Sequence, residues 1–302
     1  MLPILYYETS VLCLDDNKKF LNFIKDSNIA SRSIFSTNAQ IIMDHIIKEK
    51  NNIAIIPEVD TGKPDERSIK FNLSNLRNRL DEPNKEDEIS VLVVDYDMPN
   101  IDGIKFCKEV NKINPNICKI FLTGAAEKDE IIEAMQDGLI DFYISKSDKN
   151  LINKLTYIIS RAKKEYFKRV CKEFNNILLN KGIYKTYIDD NVFTDFMNKN
   201  ILNNDIIEYC LIEDIGSYFI RKNDLEEVII ISDEEKQRGT VEYLKDMINE
   251  TLQKEILNGV KVLDSYSLEK DKITDKSIIM YDKYIYSAKK IPTHDKIFIA
   301  RK

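Results

Sequence analysis

Up to about residue 146, short unbroken apolar runs alternate with segments whose apolar positions recur every three or four residues. Runs of the first kind predict buried strands and segments of the second predict amphipathic helices. The clearest run lies in VLVVDYDMPNIDG (91–103), where four apolar residues are followed by Asp95, Asp97, Met98, Pro99, Asp102 and Gly103. A Val-rich run of this kind predicts a strand buried on both faces. Pro99 cannot continue a ladder, so the chain leaves the sheet in a loop, and Gly103 leads into a helix. Asp95 then stands at the carboxyl end of a parallel strand, the edge where open α/β sheets hold their ligands.

Three more runs repeat the theme. VLCLDD (11–16) ends in Asp15 and Asp16, IFLTGAA (120–126) holds Thr123, and LIDFYISK (139–146) holds Tyr143 and Lys146. Strands are predicted at about 10–15, 31–37, 91–95, 118–123 and 140–145. Helices are predicted over 17–27, 38–50, 104–113 and 127–138. The pattern implies an α/β fold, a (βα)5 doubly wound sheet with its polar groups gathered at the carboxyl edge. Residues 2–8 could add a short strand or pack as an arm.

Between the second helix and the central strand lies a polar segment, about 51–90, broken by Pro57, Gly62, Pro64 and Pro83. IKFNLSNLRNRL (69–80) within it predicts one short amphipathic helix. An insertion of this kind reads as surface decoration, or else as a dedicated regulatory element. From Lys149 to Lys181 neither Pro nor Gly interrupts the chain, and Leu155, Ile159, Ala162, Tyr166, Val170, Phe174 and Ile177 form a stripe. This predicts a long joining helix ended by Gly182, the alternative being two helices with a break near 164–168. The remainder predicts an α+β domain: a helix over 191–201 and three antiparallel strands within 208–233. One or two helices over 233–259 and a closing hairpin complete it. The expected domains are therefore 1–148, with the insertion, then the joining helix 149–181 and an output domain over 182–302.

Composition narrows the function classes. A net charge of −6 argues against a generally basic nucleic-acid-binding body. The five cysteines are scattered in apolar contexts and the two histidines stand alone, so no disulfide frame or Cys/His metal site is expected. No apolar run is long enough for a membrane span, and MLPILYYE lacks the basic leader of a signal peptide, which predicts a cytoplasmic protein. No P-loop, GGDEF, HD-type or G-x-S-x-G signature suggests an output enzyme.

The acid pair, the aspartate followed by x-x-M-P-x-x-D-G, the hydroxyl and the lysine, in that order, resemble the receiver domains of two-component response regulators, a flavodoxin-like family. The combination of VDYDMP, LTGAA and GLIDFYISK with an insertion and a tail domain is similar to the Lqs-type quorum-sensing subgroup. The resemblance implies that a sensor histidine kinase phosphorylates Asp95 and that Mg²⁺ is held by Asp15, Asp16, Asp95 and the backbone carbonyl of Asp97. It implies that Lys146 and Thr123 contact the phosphoryl oxygens. Tyr143 would rotate inward as a switch, and phosphorylation would promote a homodimer or expose the output domain. Alternatives are an adaptor or phosphate sink whose C-terminal domain is a PAS-like binding module, and an atypical DNA-binding regulator.

The sequence departs from that family in three places. Asp15 and Asp95 are about twice as far apart as usual. Ser147 replaces a proline that the family joins through a cis bond; a non-prolyl cis bond costs about 3 kcal/mol, so the loop is expected to be rearranged. Asp97 adds a carboxylate that either faces the phosphoryl group and repels it or faces solvent and does nothing.

Overall fold

The computed structural model describes residues 2–49, 59–61, 69–71, 73–99, 101–124, 128–179, 186–202, 208–223, 225–271, 281–291 and 294–302. The chain begins with β1 (Leu5–Tyr6), β2 (Ser10–Leu14), α1 (Lys18–Asp26), β3 (Ser33–Ser36) and α2 (Ala39–Glu49). Next come β4 (Val59–Thr61), β5 (Ile69–Phe71), α3 (Ser74–Leu80), β6 (Ile89–Asp95), β7 (Asp97–Met98), β8 (Ile101–Asp102) and α4 (Gly103–Ile113). They are followed by β9 (Cys118–Thr123), α5 (Lys128–Gln136), β10 (Phe142–Ser145), α6 (Leu151–Val170), α7 (Lys172–Leu178) and α8 (Asn191–Asn200). The last part holds β11 (Glu208–Glu213), β12 (Ser217–Lys222), β13 (Leu225–Asp233), α9 (Glu234–Leu244) and α10 (Glu250–Leu257). It closes with β14 (Lys261–Leu263), α11 (Ser265–Lys270), β15 (Ile285–Ser287), β16 (Lys289–Ile291) and β17 (His294–Arg301).

Two compact units emerge. One gathers residues 6–56 and 82–172 around a parallel five-stranded sheet in the order β10-β9-β6-β2-β3. This is the doubly wound order with its topological switch between β2 and β6. Every residue of β2, β6 and β9 is buried, whereas the edge strands β3 and β10 are partly exposed. Apolar runs without alternation become strands covered on both faces, as expected of a parallel sheet. The expected strands and helices of this half all form, with ends shifted by at most two residues.

The other unit combines residues 1–5, 57–81 and 173–302. Its sheet, β1-β11-β12-β13-β17-β16, is antiparallel across β11-β12-β13-β17-β16. β1 lies at the edge, where the Ile4 carbonyl accepts from Leu211 N at 2.7 Å. The tight β11–β12 turn needs Gly216 at φ +125°, a left-handed conformation that side chains rarely adopt. Two helices, α9 and α10, fill the segment 233–259, and Asn249 caps the second by accepting from Leu252 N at 2.9 Å.

These units divide the chain differently from the expected 1–148, 149–181 and 182–302. Part of the insertion is packed: Leu76 and Leu80, four residues apart on one face of α3, are wholly buried, and α3 packs on β11. The Arg77 guanidinium lies 3.8 Å from the Phe219 ring centroid and pairs with Asp81 and Glu226. Among the described residues of IKFNLSNLRNRL, Ser74–Leu80 is helical and Ile69–Phe71 pairs antiparallel with Val59–Thr61. The joining helix also differs, since α6 stops at Val170 and Cys171 takes φ −89°, ψ 8° before α7 begins. The break follows the 164–168 stretch by a few residues and falls where the chain passes from one unit to the other. Gly182, the breakers Pro57, Gly62 and Pro64, Asp224 and the hairpin's start at 277–280 lie outside the described residues.

Candidate functional site

The carboxyl ends of β2, β6, β9 and β10 converge on one pocket edge. Asp15 directly follows β2, and its Oδ1 accepts from Asn17 N at 2.9 Å. Asn17 in turn caps α1 by accepting from Lys19 N and Phe20 N, so the helix start holds the acid in place. Asp95 ends β6 and accepts from Asp97 N at 3.4 Å. Behind it the chain must pass close, because a Cβ on Gly103 would stand 2.7 Å from the Asp95 carbonyl oxygen. Asp102 caps the helix that starts there, accepting from Ile104 N at 2.9 Å.

Lys146 closes the group. Its Nζ lies 2.7 Å from Asp95 Oδ2 and 2.8 Å from Asp15 Oδ2, while its N–H donates to the Thr123 carbonyl at 2.8 Å. The Phe20 ring sits under the ammonium, 4.9 Å to its centroid. Asp15 and Asp95 are 1% and 3% exposed, Asp16 is exposed, and Thr123 is buried. Burial raises the Asp95 pKa and the nearby Asp15 charge adds to that, against the lowering pull of Lys146 and of the Asp97 N–H. Burial alone would depress Lys146, but its hydrogen bonds to Asp15 and Asp95 prevail and raise it.

Asp15, Asp16 and Asp95 each offer a carboxylate oxygen, all within 4.8 Å of one another. An all-oxygen set of three carboxylates matches the preference of a hard divalent cation such as Mg²⁺. The residues fit. Two buried carboxylates facing each other are otherwise costly, and Lys146 supplies only one positive charge.

The structure brings Asp15, Asp16, Asp95 and Lys146 together, and Thr123 ends the neighbouring strand β9. Tyr143 is 49% exposed on β10. The Asp97 side chain is exposed, which selects the solvent-facing alternative, and its backbone forms the two-residue β7–β8 ladder with Asp102. The expected rearrangement after Lys146 takes a trans form, as do all described peptide bonds; the Ser145 and Ser147 hydroxyls meet at 2.8 Å and Asp148 N donates to Ser145 O. Sequence reasoning missed Phe20 and Tyr96. Phe20 was visible only as one more apolar position of α1, and Tyr96 occupied a place in the motif that carries no type preference.

Comparison with known proteins agrees with this geometry. Residues 72–156 match the sequence model of the response regulator receiver domain, a span that contains Asp95, Thr123, Tyr143 and Lys146 and begins after Asp15 and Asp16. The transcriptional regulatory protein ZraR of Klebsiella oxytoca is 30% identical over 78 residues, 26% of this chain and 17% of that protein. The uncharacterized transcriptional regulatory protein YesN of Bacillus subtilis is 28% identical over 76 residues, 25% of this chain and 21% of that protein. The chain thus matches only about a fifth of each curated relative's length. The Legionella pneumophila response regulator LqsR superposes with a TM-score of 0.76 at 21% identity, covering 99% of this chain and 88% of that one, a likeness of fold. Residues 72–156 thus match the response regulator receiver domain of two-component systems, and the doubly wound strand order and converging carboxylates agree with that likeness.

Proposed function

We propose that Asp95 accepts a phosphoryl group from the phosphohistidine of a sensor kinase. The observation that carries this reading is the convergence of Asp15, Asp16 and Asp95 within 4.8 Å, with Lys146 2.7 Å from Asp95. In the transfer an Asp95 Oδ–P bond forms as the donor's N–P bond breaks, and the histidine recovers a neutral ring. Asp15, Asp16, Asp95 and the Asp97 carbonyl would hold Mg²⁺, which neutralises the oxygens that crowd together during transfer.

The protein's own groups then divide the work. Lys146 gives up part of its contact with Asp95 and meets a phosphoryl oxygen instead, which its compact ammonium can do without leaving the pocket. The Thr123 hydroxyl, buried at the end of β9, donates to another phosphoryl oxygen. Its inward movement makes room that the exposed Tyr143 fills. That reshapes the face built from α5, β10 and α6, where Ile132, Met135 and Tyr157 are also exposed. A homodimer through this face is part of the proposal, as are a quorum-sensing input, which rests on the motif resemblance alone, and a cytoplasmic location. Among the described residues no helix is long and apolar enough to cross a membrane.

The test uses the full chain with Mg²⁺ and a small-molecule phosphodonor, following intact mass and solution mass. Gain of one phosphoryl group by the wild type and none by Asp95→Asn is the expected result. A doubling of solution mass restricted to the phosphorylated wild type would support the dimer. Labelling that persists in Asp95→Asn would overturn the assignment of the acceptor.

A further inference from the structure

One side chain next to the acceptor ties three elements together. Tyr96 follows Asp95 immediately, is 9% exposed, and its N–H donates to the Leu122 carbonyl at 2.9 Å. Its ring packs on Phe121, centroids 5.9 Å apart. Leu122 precedes Thr123, so Tyr96 is fastened by backbone and by ring to the strand that carries the switching hydroxyl. From there its phenol donates a hydrogen bond to Oε2 of Glu130, in the first turn of α5. Only the short stretch 124–127 separates Thr123 from that helix.

We propose that Tyr96 and Glu130 form a latch that holds α5 in its resting position and so opposes activation at Asp95. The inference rests on the phosphoryl-acceptor reading and adds a positioning pair to it. Inward movement of Thr123 draws on the segment that leads into α5, and α5 can follow only if its first turn is released from the acceptor strand. A hydrogen bond between a phenol and a carboxylate is charge-assisted and stronger than one between neutral groups. Because the bond joins β6 to α5, it favours one arrangement of the two, and a ligand at Asp95 must overcome that preference. Tyr96 is thereby a positioning residue, acting on the switch without touching the transferred group.

The experiment compares full-length wild type, Tyr96→Phe, Glu130→Ala and the double variant, with Glu133→Ala as an exposed-glutamate control on the same helix. Beryllofluoride with Mg²⁺ serves as the phosphoryl mimic, and hydrogen exchange is read over residues 128–136. Both single variants should bind beryllofluoride roughly three- to tenfold more tightly, the net scale of one hydrogen bond whose acceptor is open to solvent. The double variant should go no further, since both changes break the same bond. Without ligand, exchange in α5 should rise in these variants and stay at the wild-type level in Glu133→Ala. Unchanged or weaker beryllofluoride binding, or additive effects in the double variant, overturns the latch. If the wild type binds no beryllofluoride at all, the acceptor reading has failed. The exchange data then decide separately whether Tyr96 restrains α5: faster exchange supports the restraint, and unchanged exchange removes it.

Discussion

Two charged clusters, one in each unit, are balanced in opposite ways. In the antiparallel unit, ionic groups close on themselves. Glu213 receives Lys236 at 2.7 Å and the hydroxyls of Ser217 and Ser265, and Arg221 is shared by Asp81, Glu208 and Glu226. In the parallel unit, three carboxylates crowd one sheet edge with a single lysine between two of them. The first arrangement neutralises charge and fastens elements; the second leaves an electrostatic deficit that a cation or a phosphoryl group would change. Charge that is fully paired reads as structure, and charge left unbalanced at a strand's carboxyl end reads as chemistry.

The comparison is tested most sharply through α3. Leu76→Ala should destabilise the antiparallel unit by about 2–5 kcal/mol, the usual cost of emptying a buried leucine site. Thermal unfolding followed by hydrogen exchange in β11–β13 would show it, while phosphorylation of Asp95 should proceed at the wild-type rate. A fragment of residues 182–302 lacks α3 and β1, and circular dichroism should show no cooperative unfolding transition for it.

A smaller effect is expected at the acid edge. Lys146→Met leaves Asp15 and Asp95 facing each other without their ammonium. It should lower stability at neutral pH by about 2–3 kcal/mol, less than for a fully buried pair because Lys146 is partly exposed. Mg²⁺ should restore most of that loss, as read from urea midpoints with and without the cation. A loss that Mg²⁺ leaves untouched would mean that the carboxylates do not share a cation. Gly103→Ala should cost about 1–3 kcal/mol, since its Cβ would meet the Asp95 carbonyl oxygen at 2.7 Å, and it should slow labelling of Asp95.

The smallest effect is a pH dependence. Burial of Glu213 favours its neutral form, but Lys236, Ser217 and Ser265 outweigh that and hold its pKa below the ordinary 4.5. A carboxyl group with a depressed folded pKa stabilises fully above its unfolded value and loses that contribution as pH falls through the folded one. Unfolding midpoints of the antiparallel unit should therefore drop on acidification below about pH 4.5, and Glu213→Gln should flatten the drop.

Much of the parallel unit was legible because its signals are local. A Val-rich run flanked by Pro99 and Gly103 is a strand and a turn wherever it lies, and Asp95 at its end needs only the strand's direction to be placed. Thr123 and Lys146 follow by the same rule from their own strands. Tyr96 could not be read this way, because its partner Glu130 is 34 residues on and nothing about a tyrosine in that motif announces a bond to a helix. Leu76 and Leu80 marked an apolar helix face correctly, yet the surface they cover is a strand more than 120 residues further along the chain.

What the amino-acid order determined by itself, then, was the set of elements and the chemistry at their ends, since periodicity, turn residues and strand direction act over a few residues. Which segments share a core was decided only in three dimensions. The antiparallel sheet takes cover from α3 and an edge from β1. Burying Leu76 and Leu80 depends on complementary surfaces brought together from distant parts of the chain, and no short stretch of sequence encodes that meeting.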